Sequence, residues 1–205
     1  MMTRALALLG VLALTGCYVS KHGTGNKENV DIGTPFGSMH VKTDPSTVMQ
    51  NLGLSVYPGA TAVKDSGHDN ENSADINMNF GDFHLGVRAA AYVTNDSASK
   101  VEAFYRKDLS RYGAVIKCDG STPVGEPTRT AQGLSCKDDD SQVQTRDDKG
   151  VHINTPGSAN PELRAGSPLH QHIVTLEPRD GGIRIGLVAL DLPAHMNFHT
   201  DKDSE

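Results

Sequence analysis

The chain has no tryptophan, 5% aromatic residues and three cysteines in 205 residues. With 37% hydrophobic residues it can build one packed core, though not a rich one, in one ordinary domain or two small ones. An excess of positive charge is also missing: 19 Lys and Arg against 25 Asp and Glu leave a formal charge of −6. That argues against a nucleic-acid partner, which needs a basic face, and against docking on anionic lipid through a basic patch. No Gly-x-Ser-x-Gly, His-Glu-x-x-His, phosphate-binding glycine loop or dinucleotide fingerprint occurs, so no familiar catalytic signature and no cofactor is implied. Turn chemistry, in contrast, is plentiful: 21 glycines and 10 prolines announce many loops.

The amino terminus carries the most specific motif. Arg4 precedes an apolar run, Ala5–Leu14, that ends in Leu14-Thr15-Gly16-Cys17. The run falls short of the roughly 20 residues of a membrane-spanning helix and fits the apolar region of an export signal. The segment resembles the bacterial lipobox, in which a leucine and small residues precede the modified cysteine. The resemblance implies a lipoprotein precursor: a diacylglyceryl thioether on Cys17, cleavage after Gly16, and acylation of the new amino group. Two acyl chains anchor a protein stably, at roughly 0.8 kcal/mol per buried methylene. Tyr18 rather than aspartate follows Cys17, which in proteobacterial sorting points to the outer membrane. The competing readings are an ordinary signal peptide and a core helix with an incidental cysteine.

From these signals we expect a signal peptide over 1–16, a lipidated cysteine and flexible tether over 17–29, one α+β domain over 30–192, and a polar tail over 193–205. The tether expectation rests on Ser20, Gly23, Thr24, Gly25 and Asn26, which show no apolar periodicity.

Alternation marks the strands. Val30, Ile32, Met39 and Val41 flank the turn Thr34-Pro35-Phe36-Gly37, a hairpin pattern. A second hairpin is clearer. Ala74, Ile76, Met78 and Phe80 precede Gly81-Asp82, and Phe83, Leu85, Val87 and Ala89 follow. A two-residue loop then pairs Phe80 with Phe83, Met78 with Leu85, Ile76 with Val87 and Ala74 with Ala89, all apolar. Val101, Phe104, Tyr105, Leu109 and Tyr112 form one helical stripe after Asp96-Ser97, which predicts a helix over about 97–112. Glu102 and Arg106 stand four apart and can pair. That helix is expected on the apolar face of the sheet. Ala114–Cys118 reads as another strand. Val151-His152-Ile153 and Glu162-Leu163-Arg164 read as edge strands, and 171–177 with 183–190 as a final hairpin. The fold class is therefore α+β, an antiparallel sheet of hairpins with one main packed helix.

Tyr57-Pro58-Gly59-Ala60, the second hairpin, Asn95-Asp96-Ser97, Val101–Lys107 and Tyr112-Gly113 together are similar to a module of exported bacterial proteins, including acidobacterial ones. The resemblance covers a quarter to a third of the chain. It informs the fold and implies no activity.

Candidate chemistry is sparse. With Cys17 lipidated, Cys118 and Cys136 remain as an even pair in an oxidising compartment, which favours a disulfide. The alternative for them, a zinc site, lacks any Cys-x-x-Cys element. His170 and His172 lie two apart, so on a strand both imidazoles face one way and can hold a metal ion, with His84 or His152 as a third ligand. The bland reading is two histidines on a half-polar strand. Asp138-Asp139-Asp140 lacks the glycine and terminal glutamate of a calcium loop and reads as a solvated charge run. Tyr105 and Tyr112 read as packing. The expected function is a non-enzymatic, membrane-anchored envelope protein, an accessory or ligand-binding module with a protein or small-molecule partner. The alternative is a metal-dependent envelope enzyme using His170 and His172.

Overall fold

The structure, a computed structural model, describes residues 16–23, 29–63, 73–139 and 160–194. It is built on one antiparallel sheet of eleven strands. In chain order these are β1 (Tyr18–His22), β2 (Asn29–Thr34), β3 (Gly37–Lys42), β4 (Thr61–Ala62), β5 (Ser73–Phe80) and β6 (Phe83–Thr94), then β7 (Ile116–Asp119), β8 (Thr122–Pro123), β9 (Glu162–Gly166), β10 (His170–Arg179) and β11 (Gly182–Asp191). Two helices accompany them: α1 (Pro45–Leu52) after β3, and α2 (Ala98–Leu109) after β6, the latter continued by a 3-10 turn, Ser110–Tyr112. The spatial order is β1-β2-β3-β5-β6-β11-β10-β9-β7-β8, with the short β4 also on β6.

The β5–β6 hairpin has the register its alternation predicts. Phe80 pairs with Phe83, Met78 with Leu85, Ile76 with Val87 and Ala74 with Ala89. Gly81 takes φ +56°, a left-handed conformation that glycine adopts without steric cost. β2 and β3 form the first expected hairpin, and β10 with β11 the last.

Both helices pack on one face of the sheet, α1 against β5 and β6, and α2 against β9 and β10. Val101, Tyr105 and Leu109 of α2 are fully buried and join Leu163, Val174, Ile185 and Leu187 in the main core. A satellite core of Ile116, Cys118, Leu134 and Cys136 sits beside it.

Four points qualify the expectations. First, α2 lies on an apolar face of the sheet, that of β9, β10 and β11, but not on the apolar face of the β5–β6 hairpin. Asp75, Arg88, Ala90 and Tyr92 face the helices, so the Ile76–Val87 ladder faces the other way. The core under the helices is supplied instead by β9, β10, β11 and the far end of β6. Second, α2 is not the one main helix. α1 is also built into the core through Val48 and Leu52, and its ends carry their own signals. Asp44 Oδ1 accepts from the backbone of Ser46 and Thr47, each at 3.0 Å, Pro45 opens the first turn, and Gly53 closes it at φ +72°. Third, the tether expected over 17–29 begins with a strand: Tyr18–His22 pairs along its length with β2. β2 offers a free hydrogen-bonding edge on that side, and pairing satisfies backbone groups that composition does not report. Fourth, Glu162-Leu163-Arg164 is no edge. β9 lies between β10 and β7. Arg164 is 1% exposed, and its Nη2 and Nε reach Glu162 Oε2 at 2.8 and 3.0 Å, the charge pairing that burial of an arginine demands. Val151-His152-Ile153 lies outside the described residues.

Candidate functional site

The helix-facing side of the sheet becomes polar where α2 ends. A chain of contacts starts at α1: Asn51 Nδ2 donates to Asp75 Oδ2 at 2.8 Å. Asp75, 1% exposed, lies opposite Arg88 on β6, with Arg88 Nε 3.7 Å from Asp75 Oδ1. Arg88 Nη1 donates to Asp191 Oδ2 at 2.7 Å, and Asp191 Oδ1 meets His170 Nδ1 at 3.0 Å. Burial pushes the Asp191 carboxyl up, but the hydrogen bonds and charges of His170 and Arg88 outweigh it and hold the group below its ordinary value.

His172 stands on the same face of β10, as an i, i+2 pair must. Its surroundings differ. Its ring stacks on Tyr112, with centroids 3.6 Å apart and planes 11° from parallel. Tyr112 Oη donates to the carbonyl oxygen of Gly53, as does Arg111 Nη2, and the Arg111 guanidinium lies 5.2 Å from the Tyr112 ring centre. Asp108 on α2 accepts from Ser55 N at 2.8 Å and pairs with Arg111. So His172, Tyr112 and Gly53 tie β10, the end of α2 and the end of α1 together. Tyr112 is more than packing, and the residues it joins are too far apart in sequence for periodicity to show it. His172 Nδ1 is buried without a hydrogen-bond partner. Burial lowers the imidazole pKa, Asp191 raises it, and Arg111 and Arg88 lower it further, so the net direction is down.

The histidine pair thus shares a face but not a ligand arrangement. His170 is exposed and bonded to Asp191; His172 is half-buried and stacked. His84 bonds Asn79 Oδ1 at the exposed end of β6, and His152 lies outside the described residues. Among the described residues no three His, Cys, Asp or Glu side chains gather where an ion can sit. The side chains of Asp138, Asp139 and Asp140 are outside the described set.

No family model, curated protein or solved structure matches this chain. Its chemistry must therefore be read from the molecule.

Cys118 and Cys136 are joined as a disulfide, Cα atoms 5.5 Å apart, so neither is a metal-binding thiolate. Cys17 is exposed, directly ahead of β1. The opposite face of the sheet holds a feature that alternation identified but did not place. Ile32, Met39, Met78 and Leu85 form one apolar row across β2, β3, β5 and β6. Val30, Val41, Ile76, Val87 and Leu190 form a second, reaching β11. All nine are half-exposed, and among the described residues no helix covers them. Beside the rows lies a depression of about 270 Å³, where Ala74, Ala89, Ala91 and Gly186 present small side chains or none, with Val188 and Arg184 also lining it. Arg184 Nη1 is 3.7 Å from Glu177 Oε2, a loose pair that leaves the guanidinium able to meet another anion.

Proposed function

We propose that this is a lipid-anchored cell-envelope protein, held through Cys17 on the periplasmic side of the outer membrane, that works as an accessory, ligand-binding module rather than an enzyme. The observation that carries this reading is the apolar face of β2, β3, β5 and β6, which no helix covers among the described residues, with the depression beside it. A contiguous half-exposed apolar surface beside a concave site marks binding, whereas on the helix-facing side Asn51, Asp75, Arg88, Asp191 and His170 are committed to one another. Arg184 beside the small-residue depression fits an amphiphile with an apolar chain and one anionic end.

The test uses a fluorescent long-chain fatty acid titrated into the purified protein. Saturable binding is expected, and Ala89→Phe, which fills the depression, is expected to weaken it at least about tenfold, roughly 1.4 kcal/mol. Circular dichroism checks that the variant is folded. Absence of saturable binding to the wild type, or an unchanged affinity in the folded variant, rejects the reading.

A further inference from the structure

Seven large apolar side chains are exposed among the described residues, and five of them, Tyr18, Val19, Phe36, Phe80 and Phe83, belong to one end of the sheet. Antiparallel pairing brings them there. Tyr18 at the start of β1 is opposite Gly33 near the end of β2. Thr34 and Gly37 close the β2–β3 turn that carries Phe36. Gly37 is opposite Phe80, and Phe80 is opposite Phe83 across the next turn. The patch crosses β1, β2, β3, β5 and β6. At about 4.8 Å per strand spacing, it is about 19 Å wide.

Phe36 is the most exposed of the five, at 80%. Its turn is braced: Thr34 Oγ1 donates to the Gly37 carbonyl at 3.0 Å and accepts from Phe36 N at 3.3 Å. The turn holds this phenylalanine out into water within a contiguous exposed apolar patch, the kind of surface that marks an interaction site. Charge narrows the partner. Across Cys17–Val19, Thr34–Gly37 and Phe80–Phe83 the one charged side chain is Asp82, so the end has no cation with which to attract anionic lipid or nucleic acid.

Cys17 narrows it further. It adjoins Tyr18, the first residue of β1, which pairs with Gly33 one residue before the Thr34–Gly37 turn that carries Phe36. Since β1 starts at Tyr18, no spacer separates an anchor on Cys17 from the sheet. Acyl chains there would enter a bilayer beside Tyr18 and Phe36.

We propose that this end of the sheet docks on the phospholipid bilayer, seating Tyr18, Phe36, Phe80 and Phe83 in the interfacial layer. The sheet then stands on the membrane in a fixed orientation rather than floating above it. Aromatic side chains favour that layer, and docking through them is insensitive to salt because no basic side chain takes part. The proposal rests on the lipoprotein reading of Cys17.

The absence of tryptophan provides the test. Phe36→Trp and Val124→Trp are made separately in the full chain, expressed with its export signal, purified, and reconstituted into phosphatidylcholine vesicles with or without brominated acyl chains. Val124 is the control, an exposed residue just beyond β8 at the opposite edge of the sheet. The expected result is protein that floats with the vesicles, a blue-shifted Phe36→Trp emission largely lost to bromine at low and high salt alike, and Val124→Trp emission unaffected. Flotation with neither emission quenched, or with both quenched equally, overturns the docking while the anchor stands. Quenching of Phe36→Trp that disappears at high salt also overturns it. Failure to float removes the anchor reading, and the docking proposal falls with it.

Discussion

At the residue scale, His172 shows how position sets chemistry. Its imidazole is stacked on Tyr112, and Asp191, Arg88, Arg111 and Asp108 supply the charges around it. Folding lowers its pKa below the ordinary imidazole value of about 6.5, so between the two values the unfolded chain holds a proton that the folded chain does not. The stability this residue contributes is complete above about pH 6.5 and is lost as pH falls through the folded value. His172→Phe keeps a ring on Tyr112 and removes a buried nitrogen without a partner. It is expected to change stability at pH 7 by less than about 1 kcal/mol and to flatten the decline between pH 7 and 5, as read by urea denaturation. Equal pH dependence in the two proteins rejects His172 as the titrating group. Asp191 acts in the same direction at more acidic pH, since its pKa is also lowered. None of this was legible in the spacing of His170 and His172. The i, i+2 rule correctly placed both on one face, but their partners come from residues 53, 112 and 191, and only the folded sheet with its helices brings those together.

At the element scale, legibility followed the length of the local pattern. The β5–β6 register was readable because eight alternating apolar positions and a glycine-first turn agree. The stripe of α2 was readable for the same reason, down to the pairing of Arg106 Nε with Glu102 Oε1 at 2.9 Å, although Ser97 at its N-cap makes no side-chain capping hydrogen bond. α1 has only eight residues, too few for periodicity to announce, although its Asp-Pro start and glycine stop are written plainly. Asp44→Ala is expected to cost about 1 kcal/mol, the usual worth of a capping side chain, measured as a shift of the urea midpoint at constant slope. No shift would show that packing of Val48 and Leu52 alone holds the helix. Which face of the hairpin meets the helices was not readable. Alternation identifies an apolar face but does not say what covers it, and here the polar face carries Asp75 to Asn51 on α1. The β1 strand was missed for a related reason: pairing to an open edge needs backbone groups, not a hydrophobic pattern.

At the scale of the whole molecule, cysteines stand at opposite edges of the sheet. The Cys118–Cys136 bridge belongs to the β7–β8 edge and Cys17 adjoins β1. The bridge encloses a sequence separation of 18, so loop closure gives it roughly 3 kcal/mol. It pins a satellite core of four residues, Ile116, Cys118, Leu134 and Cys136, which is too small to hold that edge by burial alone. Under the lipoprotein reading, the other edge is held by the membrane, so the two cysteine chemistries restrain the two ends of the strand order. Their removal should therefore have separable effects. Cys118→Ala with Cys136→Ala is expected to lower stability by roughly 3 kcal/mol and leave membrane attachment intact. Cys17→Ser is expected to abolish labelling by a clickable fatty acid and cleavage after Gly16, because the sulfur is the atom acylated, and to leave the melting temperature of the detergent-extracted protein unchanged. Equal labelling of wild type and Cys17→Ser removes the anchor. A large loss of stability in Cys17→Ser would mean instead that the cysteine is structural, which its exposure ahead of β1 argues against.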